Sequence, residues 1–403
     1  MWPYSAGVSA NDAHDADHAG PCSQPRPLGS KFAWLAVDLL WSRGLKNGRG
    51  GTQLDVIALH RNEARGAFFP TASAQPIFFD TTIKAWVVAN PRHCEAMLVS
   101  PHLFVSPYRP AYEDMAKRHR DYAFPNLLFA FKYIPMCLNG DDHKTARRQI
   151  AEYLAARKGA VSAAAADMVD RRFGGLATRE RVELMTEAIE PLVKDVLGTL
   201  NRTDEAGRVL IRSASAVFDR MMGAKKRREL DDEIAEIRGL IRRGLGPDAD
   251  EDQEGFSLAL FILGNDALAG TLGESLHQIL LANRGRCLSE IDYPATPPAT
   301  GVPFVERIVM EPFEYEGTPL RKGERIRILL QSFQYSGDAA DRIRIFGAGI
   351  HACLGRQLSL EIWSLITRKL SEITARAEII DYALRYDDYV FAYPTRLSIA
   401  LKR

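Results

Sequence analysis

Residues 346–359, FGAGIHACLGRQLS, set one cysteine in a frame of glycines. Gly347 and Gly349 permit tight backbone turns ahead of Cys353, and Gly355 opens a periodic apolar stretch that reads as a helix. A sulfur placed there faces free amides and the positive end of a helix, a setting that favours the thiolate without a cationic side chain directly beside it. An average cysteine is a small buried hydrophobe. Cys353 is therefore the first candidate for chemistry.

The same run resembles the haem-ligand loop of the cytochrome P450 family, Phe-Gly-x-Gly-x-His-x-Cys-x-Gly with Leu three residues on. Phe346, Gly347, Gly349, His351, Cys353, Gly355 and Leu358 fill every one of those positions. The resemblance implies that Cys353 is the axial ligand of a haem b (iron protoporphyrin IX). It also implies that Phe346 shields the sulfur, that amides after the cysteine hydrogen-bond it, and that His351 reaches a haem propionate. Thiolate donation favours cleavage of an oxygen–oxygen bond on the iron.

Other segments follow the family's order over roughly residues 38–403. His143-Lys-Thr-Ala-Arg147 is similar to the His-x-x-x-Arg of a helix crossing one haem edge, its two side chains one turn apart on a single face. The resemblance assigns both to propionate as charge-assisted donors. Arg307, in VERIVMEPFEYEGTPLRKGERI, stands where the family has a third propionate-binding arginine. On the opposite face of the haem, Leu263-Gly264-Asn265-Asp266-Ala267 resembles Ala-Gly-x-Asp/Glu-Thr. Gly264 is then expected to leave room for oxygen and Asp266 to be the acid of a proton relay. Ala267 replaces the usual threonine, so protons must pass through Asp266 and water, Asn265 or a substrate hydroxyl. Thr271, one turn on, is a poorly placed substitute.

Two departures stand out. The family's Glu-x-x-Arg helix should precede Arg307, yet residues 283–304 read NRGRCLSEIDYPATPPATGVPF, and Glu290 has Tyr293 in the arginine position. Glu205 with Arg208 and Glu324 with Arg327 have the spacing in the wrong segments. The stretch from Gln334 to Phe346 is also short, with Gln334-Tyr335-Ser336 in place of Asn-Arg-Asp. The ion-pair network beneath the haem is thus missing or rebuilt.

These residues need a scaffold, and 403 residues with 46% hydrophobic content can bury a large core. Lys plus Arg (52) balances Asp plus Glu (51), which argues against nucleic acid or an anionic membrane as partner and fits small neutral ligands. Residues 32–41 fall short of the ~20 needed to cross a bilayer, and residues 1–37 read as a disordered extension without a signal peptide, so a cytoplasmic chain is expected. Five unpaired-looking cysteines (Cys22, Cys94, Cys137, Cys287, Cys353) fit a reducing compartment.

Residues 76–89 read as a hairpin, 91–99 as a short helix, and 101–135 as a long aromatic, proline-punctuated loop whose aromatics line a pocket or pack the core. Residues 143–243 read as helix almost throughout, 244–254 as an acidic linker, 256–281 as a buried apolar helix, 305–333 as β-rich, 353–373 as the last helix and 389–401 as a strand. No internal repeat is visible. The fold class is mainly α with small β-sheets (α+β), and the resemblance implies one domain over 38–403, a triangular helix-rich prism around a buried haem.

Three functions are compatible. The first is a monooxygenase of specialised metabolism acting on an apolar small molecule as a monomer. The resemblance implies that it takes NAD(P)H electrons through a ferredoxin reductase and a ferredoxin docked near Arg148, Arg344 and Arg356. The second is a haem-thiolate enzyme working with peroxide or without external electrons. The third is an inactive haem-fold helper of a partner enzyme, which an intact Cys353 opposes and the lost Glu-x-x-Arg favours.

Overall fold

Phe78–Asp80 (β1) and Ala85–Val88 (β2) form the antiparallel hairpin that their alternation predicts, with Asp80 Oδ1 accepting the amides of Thr82 and Ile83 in the turn. This computed structural model describes residues 72–118, 123–203, 214–219, 222–336, 338, 340–386 and 391–402. All fall in the unit Gly50–Arg403. The expected extension 1–37, Cys22 and the Glu205/Arg208 spacing lie outside them.

The hairpin belongs to a five-stranded sheet of order β1-β2-β8-β5-β3, where β3 is Leu103–Phe104, β5 Val305–Val309 and β8 Arg325–Ile328. Only β2 and β8 run parallel in it. Phe313–Tyr315 (β6) and Thr318–Leu320 (β7) make a separate two-stranded hairpin. Arg181–Glu183 (β4), Arg376–Tyr386 (β9) and Ala392–Lys402 (β10) form a third sheet of order β4-β10-β9. β9 was not anticipated, and β4 lies within the region expected to be almost entirely helical.

Pro91–Leu98 (α1) is the expected short helix. The expected loop over 101–135 is instead largely helical: Tyr108–Arg118 (α2) and Pro125–Tyr133 (α3) occupy it. Pro125 starts α3, where it has no intrahelical bond to lose, so the proline there marks a helix start. Tyr112, Phe124 and Phe131 pack on one another in the core.

The helical body comprises Gly140–Phe173 (α4), Glu190–Leu200 (α5), Ala224–Leu245 (α6), Glu251–Ala282 (α7) and Arg356–Leu370 (α8). Asp250 caps α7 through the Gln253 amide, so most of the expected acidic linker is helix. By length and composition α7 is apolar enough to span a membrane, but 67% of its most apolar window is buried against the other elements. α4 and α8 run parallel: Ser162 binds Glu361 at 2.8 Å and Asp170 binds Lys369 at 2.6 Å, both pairs 199 residues apart in the chain.

Between α7 and β5 the chain has only a 3₁₀ turn, Leu288–Glu290, followed by a proline-rich strap. Trp363 Nε1 donates to the Pro294 carbonyl, Ser275 Oγ accepts the Ala299 amide, and Thr271 Oγ1 accepts the Gly301 amide. Pro294, Pro297, Pro298 and Pro303 forbid a helix there. The strap lies backbone to backbone on α7, for a Cβ on Gly301 would stand 2.6 Å from the Ala267 carbonyl oxygen.

Candidate functional site

Gly347 and Gly349 adopt φ of 77° and 66°, the left-handed region that favours glycine, and the Cys353 amide closes the loop on the Phe346 carbonyl at 2.8 Å. Gly355 then caps α8, so the amides of Gly355 and Arg356 bond the Cys353 sulfur. The side chain has an exposed surface, yet the dense protein around the loop raises its thiol above the ordinary range. Those two amides and the charges of Arg147 and Arg356 oppose that rise.

Beside it lies a basic cluster. His143 and Arg147 come from the first turns of α4, Arg307 from β5 and His351 from the cysteine loop. The His143 and His351 rings are 4.1 Å apart, and Arg147 Nη2 donates to the Ala352 carbonyl at 2.6 Å. Arg307 is buried and donates to the Glu306 carbonyl at 2.9 Å. Burial pushes Arg307 down to about 10 and His351 down to about 2, the latter helped by Arg307, His143 and Arg147. His143 is lowered first by burial and then by Arg147 and Arg307. Among the described residues no carboxylate pairs with any of the four, and His143 Nε2 is buried without a hydrogen-bond partner. Buried positive groups without an anion are costly, so a carboxylate placed beside Arg147 and Arg307 would be bound favourably.

On α7, Asp266 is 1% exposed. Asn265 Nδ2 donates to its Oδ1 and Arg385 Nη2 from β9 donates to its Oδ2, both at 2.8 Å. The Arg385 guanidinium lies 5.0 Å over the Tyr393 ring, and the Tyr393 hydroxyl donates to Glu190 at 2.5 Å. Arg385 and Glu190 had no motif in the sequence to mark them, because their partners are over a hundred residues away. Leu197 of α5 packs against Gly264, its Cδ2 2.9 Å from where a Cβ would stand. Thr271 is no substitute relay. Its hydroxyl donates to the Ala267 carbonyl at 2.7 Å and accepts from Gly301, so it staples the strap.

A buried ion pair runs across two strands of the five-stranded sheet. Glu324 does not meet Arg327; it accepts from Trp86 Nε1 and the Arg321 amide. Arg327 instead binds Glu306, its register partner on β5, at 2.7 Å and lies 3.9 Å over the Phe304 ring, while Arg325 shares the same Glu306 oxygen. On the thiolate side, Arg148 pairs with Glu152 and Arg344 with Glu95 and Asp341, while Arg356 is exposed.

No protein-family model matches the chain, and no curated protein matches it significantly. Solved structures do. The chain is similar to P450BioI, solved with an acyl carrier protein bearing hexadec-9Z-enoic acid (17% identity, TM-score 0.65, covering 85% of this chain and 99% of that one). Epothilone D-bound P450epoK gives 16% identity and a TM-score of 0.68 over 88% of this chain and 100% of that one. PksS, of the Bacillus subtilis bacillaene polyketide synthase, gives 16% and 0.65 over 86% and 98%. With a helical body, small sheets and a cysteine loop leading into α8, matched over nearly the full length of these structures, the chain has the cytochrome P450 fold.

Proposed function

We propose that this chain is a haem-thiolate monooxygenase that oxidises an apolar small molecule of specialised metabolism, with electrons from a ferredoxin-type partner. The observation that carries this reading is the meeting of Cys353, its sulfur bonded by two amides, with a buried basic cluster that has no carboxylate of its own. A haem b fits both halves: Cys353 would hold its iron, and His143, Arg147, Arg307 and His351 would hold its propionates. Bound haem supplies the oxidation itself, transfer of an oxygen atom to an organic substrate.

The chain's own part is to bind, orient and deliver. Arg147, Arg307, His143 and His351 hold the propionate edge, and Arg147 also braces the ligand loop through Ala352. The Gly355 and Arg356 amides temper the sulfur's charge, and Phe346 covers the loop. On the opposite side, α7 with Asn265, Asp266 and Ala267 forms the wall at which oxygen and substrate meet, Asp266 being the group that holds and releases a proton there. The three neighbours' lipid, polyketide-synthase and epothilone settings support a bulky apolar substrate for this chain too.

The test is a screen of terpenoid, polyketide, fatty-acyl and aromatic compounds for a substrate-induced shift of the haem spectrum, then turnover with ferredoxin, ferredoxin reductase and NAD(P)H. Product that depends on all three supports the reading. Turnover with peroxide alone, or with no redox partner, favours the second reading, which the missing hydroxyl at Ala267 and the committed Thr271 support. Purified protein that takes up no haem leaves the helper function.

A further inference from the structure

Cys353 lies where two apolar cores meet. Ile345, Phe346 and Ala348, on the glycine side of the loop, pack into a small core built by the five-stranded sheet and α1, which contributes Cys94, Met97 and Leu98. Leu354 and Leu358, on the helix side, pack into the large core of the helical body. The loop therefore spans a seam, and its shape depends on how firmly each side is held.

From the helical body, Arg147 of α4 holds the loop through the Ala352 carbonyl at 2.6 Å. From the small core the hold comes from α1, which grips at two points. Glu95 Oε1 accepts Arg344 Nε at 2.9 Å, in the 3₁₀ turn Asp341–Phe346 that leads into the loop. Val99 ends α1 one turn after Glu95, and its Cγ1 lies 3.0 Å from where a Cβ on Gly349 would stand, with the Leu98 carbonyl oxygen at 3.4 Å. Residues four apart share a helix face, so Glu95 and Val99 reach the loop together. Arg344 and Gly349 flank its first turn, which the Gly347 amide closes on the Arg344 carbonyl at 2.8 Å. Glycine at 349 thus meets two demands, the φ of 66° and the close approach of α1.

α1 is a firm support. Pro91 opens it, Asn90 caps it by accepting the Arg92 amide, and the buried Cys94 thiol donates to the Val88 carbonyl at 3.3 Å and accepts Ser332 Oγ at 3.3 Å. These contacts pin the helix to β2 and to the segment after β8. Arg344 also holds Asp341 at 2.9 Å, but that pair lies within one turn, whereas the bond to Glu95 ties the turn to another element.

We infer that α1 is the brace of the cysteine loop: Glu95 and Val99 are positioning residues that hold the 344–349 turn, and through it Cys353, in place against the helical body. The inference deepens the proposed function, on which its meaning for haem rests, but the brace itself can be read in the haem-free protein.

Backbone hydrogen exchange of the haem-free full-length protein is compared for wild type, Glu95→Ala, Glu95→Asp, Val99→Ala, the double variant Glu95→Ala/Val99→Ala and, as a control on a surface pair of α4, Glu152→Gln. The Arg344 and Glu95 side chains are 29% and 42% exposed, so Glu95→Ala should speed exchange over 346–356 by about two- to five-fold, the effect of losing a partly exposed ion pair. The double variant should exceed either single one, Glu95→Asp should fall between wild type and Glu95→Ala, and Glu152→Gln should leave the loop unchanged. Amides of α4 and α8 should keep their rates in all of them. In the haem-loaded protein the far red-shifted Soret band of the reduced carbon monoxide complex should decay faster in the double variant by a similar factor. Unchanged exchange over 346–356 in a folded double variant overturns the inference, and so does an increase spread equally over the sheet, α4 and α8, which marks a loss of general stability. If the double variant does not fold, Glu95→Ala at its partly exposed position decides by the same criteria. Faster loop exchange with an undiminished lifetime of the band overturns the link to Cys353. Protein that takes up no haem, with the exchange pattern as expected, instead sinks the proposed function and leaves the brace standing.

Discussion

His143 and His351 face each other with ring centroids 4.1 Å apart at 47°, one delivered by the first turn of α4 and the other by the loop ahead of α8. Two imidazoles, both lowered by burial and by neighbouring arginines, make a neutral pair inside a positive surround. Such a pair gains little from the protein and much from an incoming anion.

Cys353→Ala should abolish the far red-shifted Soret band of the reduced carbon monoxide complex, while Cys94→Ala and Cys287→Ala keep it. Burial pushes the Cys94 thiol up to about 12, and it is engaged with Ser332 and the Leu329 carbonyl, so it has no thiolate to offer. A thiolate spectrum surviving in Cys353→Ala would falsify the ligand assignment.

Haem retention should weaken in Arg147→Ala and in Arg307→Ala. Each loses a charge-assisted bond contributing on the order of 1.5–3 kcal/mol, roughly ten- to hundred-fold in affinity. Haem transfer to an acceptor apoprotein measures it. Unchanged retention in the double variant means that the propionates are bound elsewhere.

Glu306→Gln should be destabilising, by about 1.5–3 kcal/mol, because it removes the carboxylate that accepts charge-assisted bonds from buried Arg327 and from Arg325. Denaturant unfolding checks this, and Glu306→Leu/Arg327→Met should recover much of the loss. A mild effect of the single change would show that the cross-strand pair does not support the sheet.

Gly301→Ala should cost about 1–3 kcal/mol, since its Cβ meets the Ala267 oxygen at 2.6 Å and the Thr271 nitrogen at 2.7 Å. Gly159→Ala, inside α4 with nothing within 4 Å, should stabilise by about 0.5–1 kcal/mol. Opposite shifts of the two melting temperatures are the expected result, and shifts of the same sign would contradict it.

Acid should release the C-terminal strand. Burial alone would raise Glu183, but bonds from the Leu397 amide and from Thr186 outweigh it and hold the carboxyl below its ordinary value of 4.5. A depressed folded value contributes stability that is present above the unfolded value and lost as pH falls through the folded one. Glu183→Gln should therefore destabilise at pH 7 and lose that effect progressively as acid protonates the wild-type carboxyl. Equal destabilisation at pH 7 and in acid would argue for a packing effect.

The conformation of the cysteine loop was legible because its geometry is local: two left-handed glycines, a cysteine and a helix start lie within ten residues. The shared helix of His143 and Arg147 was legible by its spacing, and α7 by its apolar run. What escaped depends on distant partners. Arg385 gains its meaning from Asp266 and Arg327 from Glu306, and neither pairing leaves a trace in local spacing. The 101–135 segment was misread because prolines mark helix starts as well as loops, and Pro125 is a start. β9 escaped because its alternation is interrupted by charged residues, one of which is Arg385 itself.

The parallel pairing of α4 with α8 ties the two halves of the ligand site together at a distance. α4 spans about 50 Å without a break, carries His143 and Arg147 at one end, and is fastened by Ser162 and Asp170 to the helix that begins just after Cys353. A rod without a hinge cannot let go of one end alone. Loss of the prosthetic group and melting of the helical body should therefore coincide in a single cooperative transition, so that calorimetry and haem absorbance report the same midpoint.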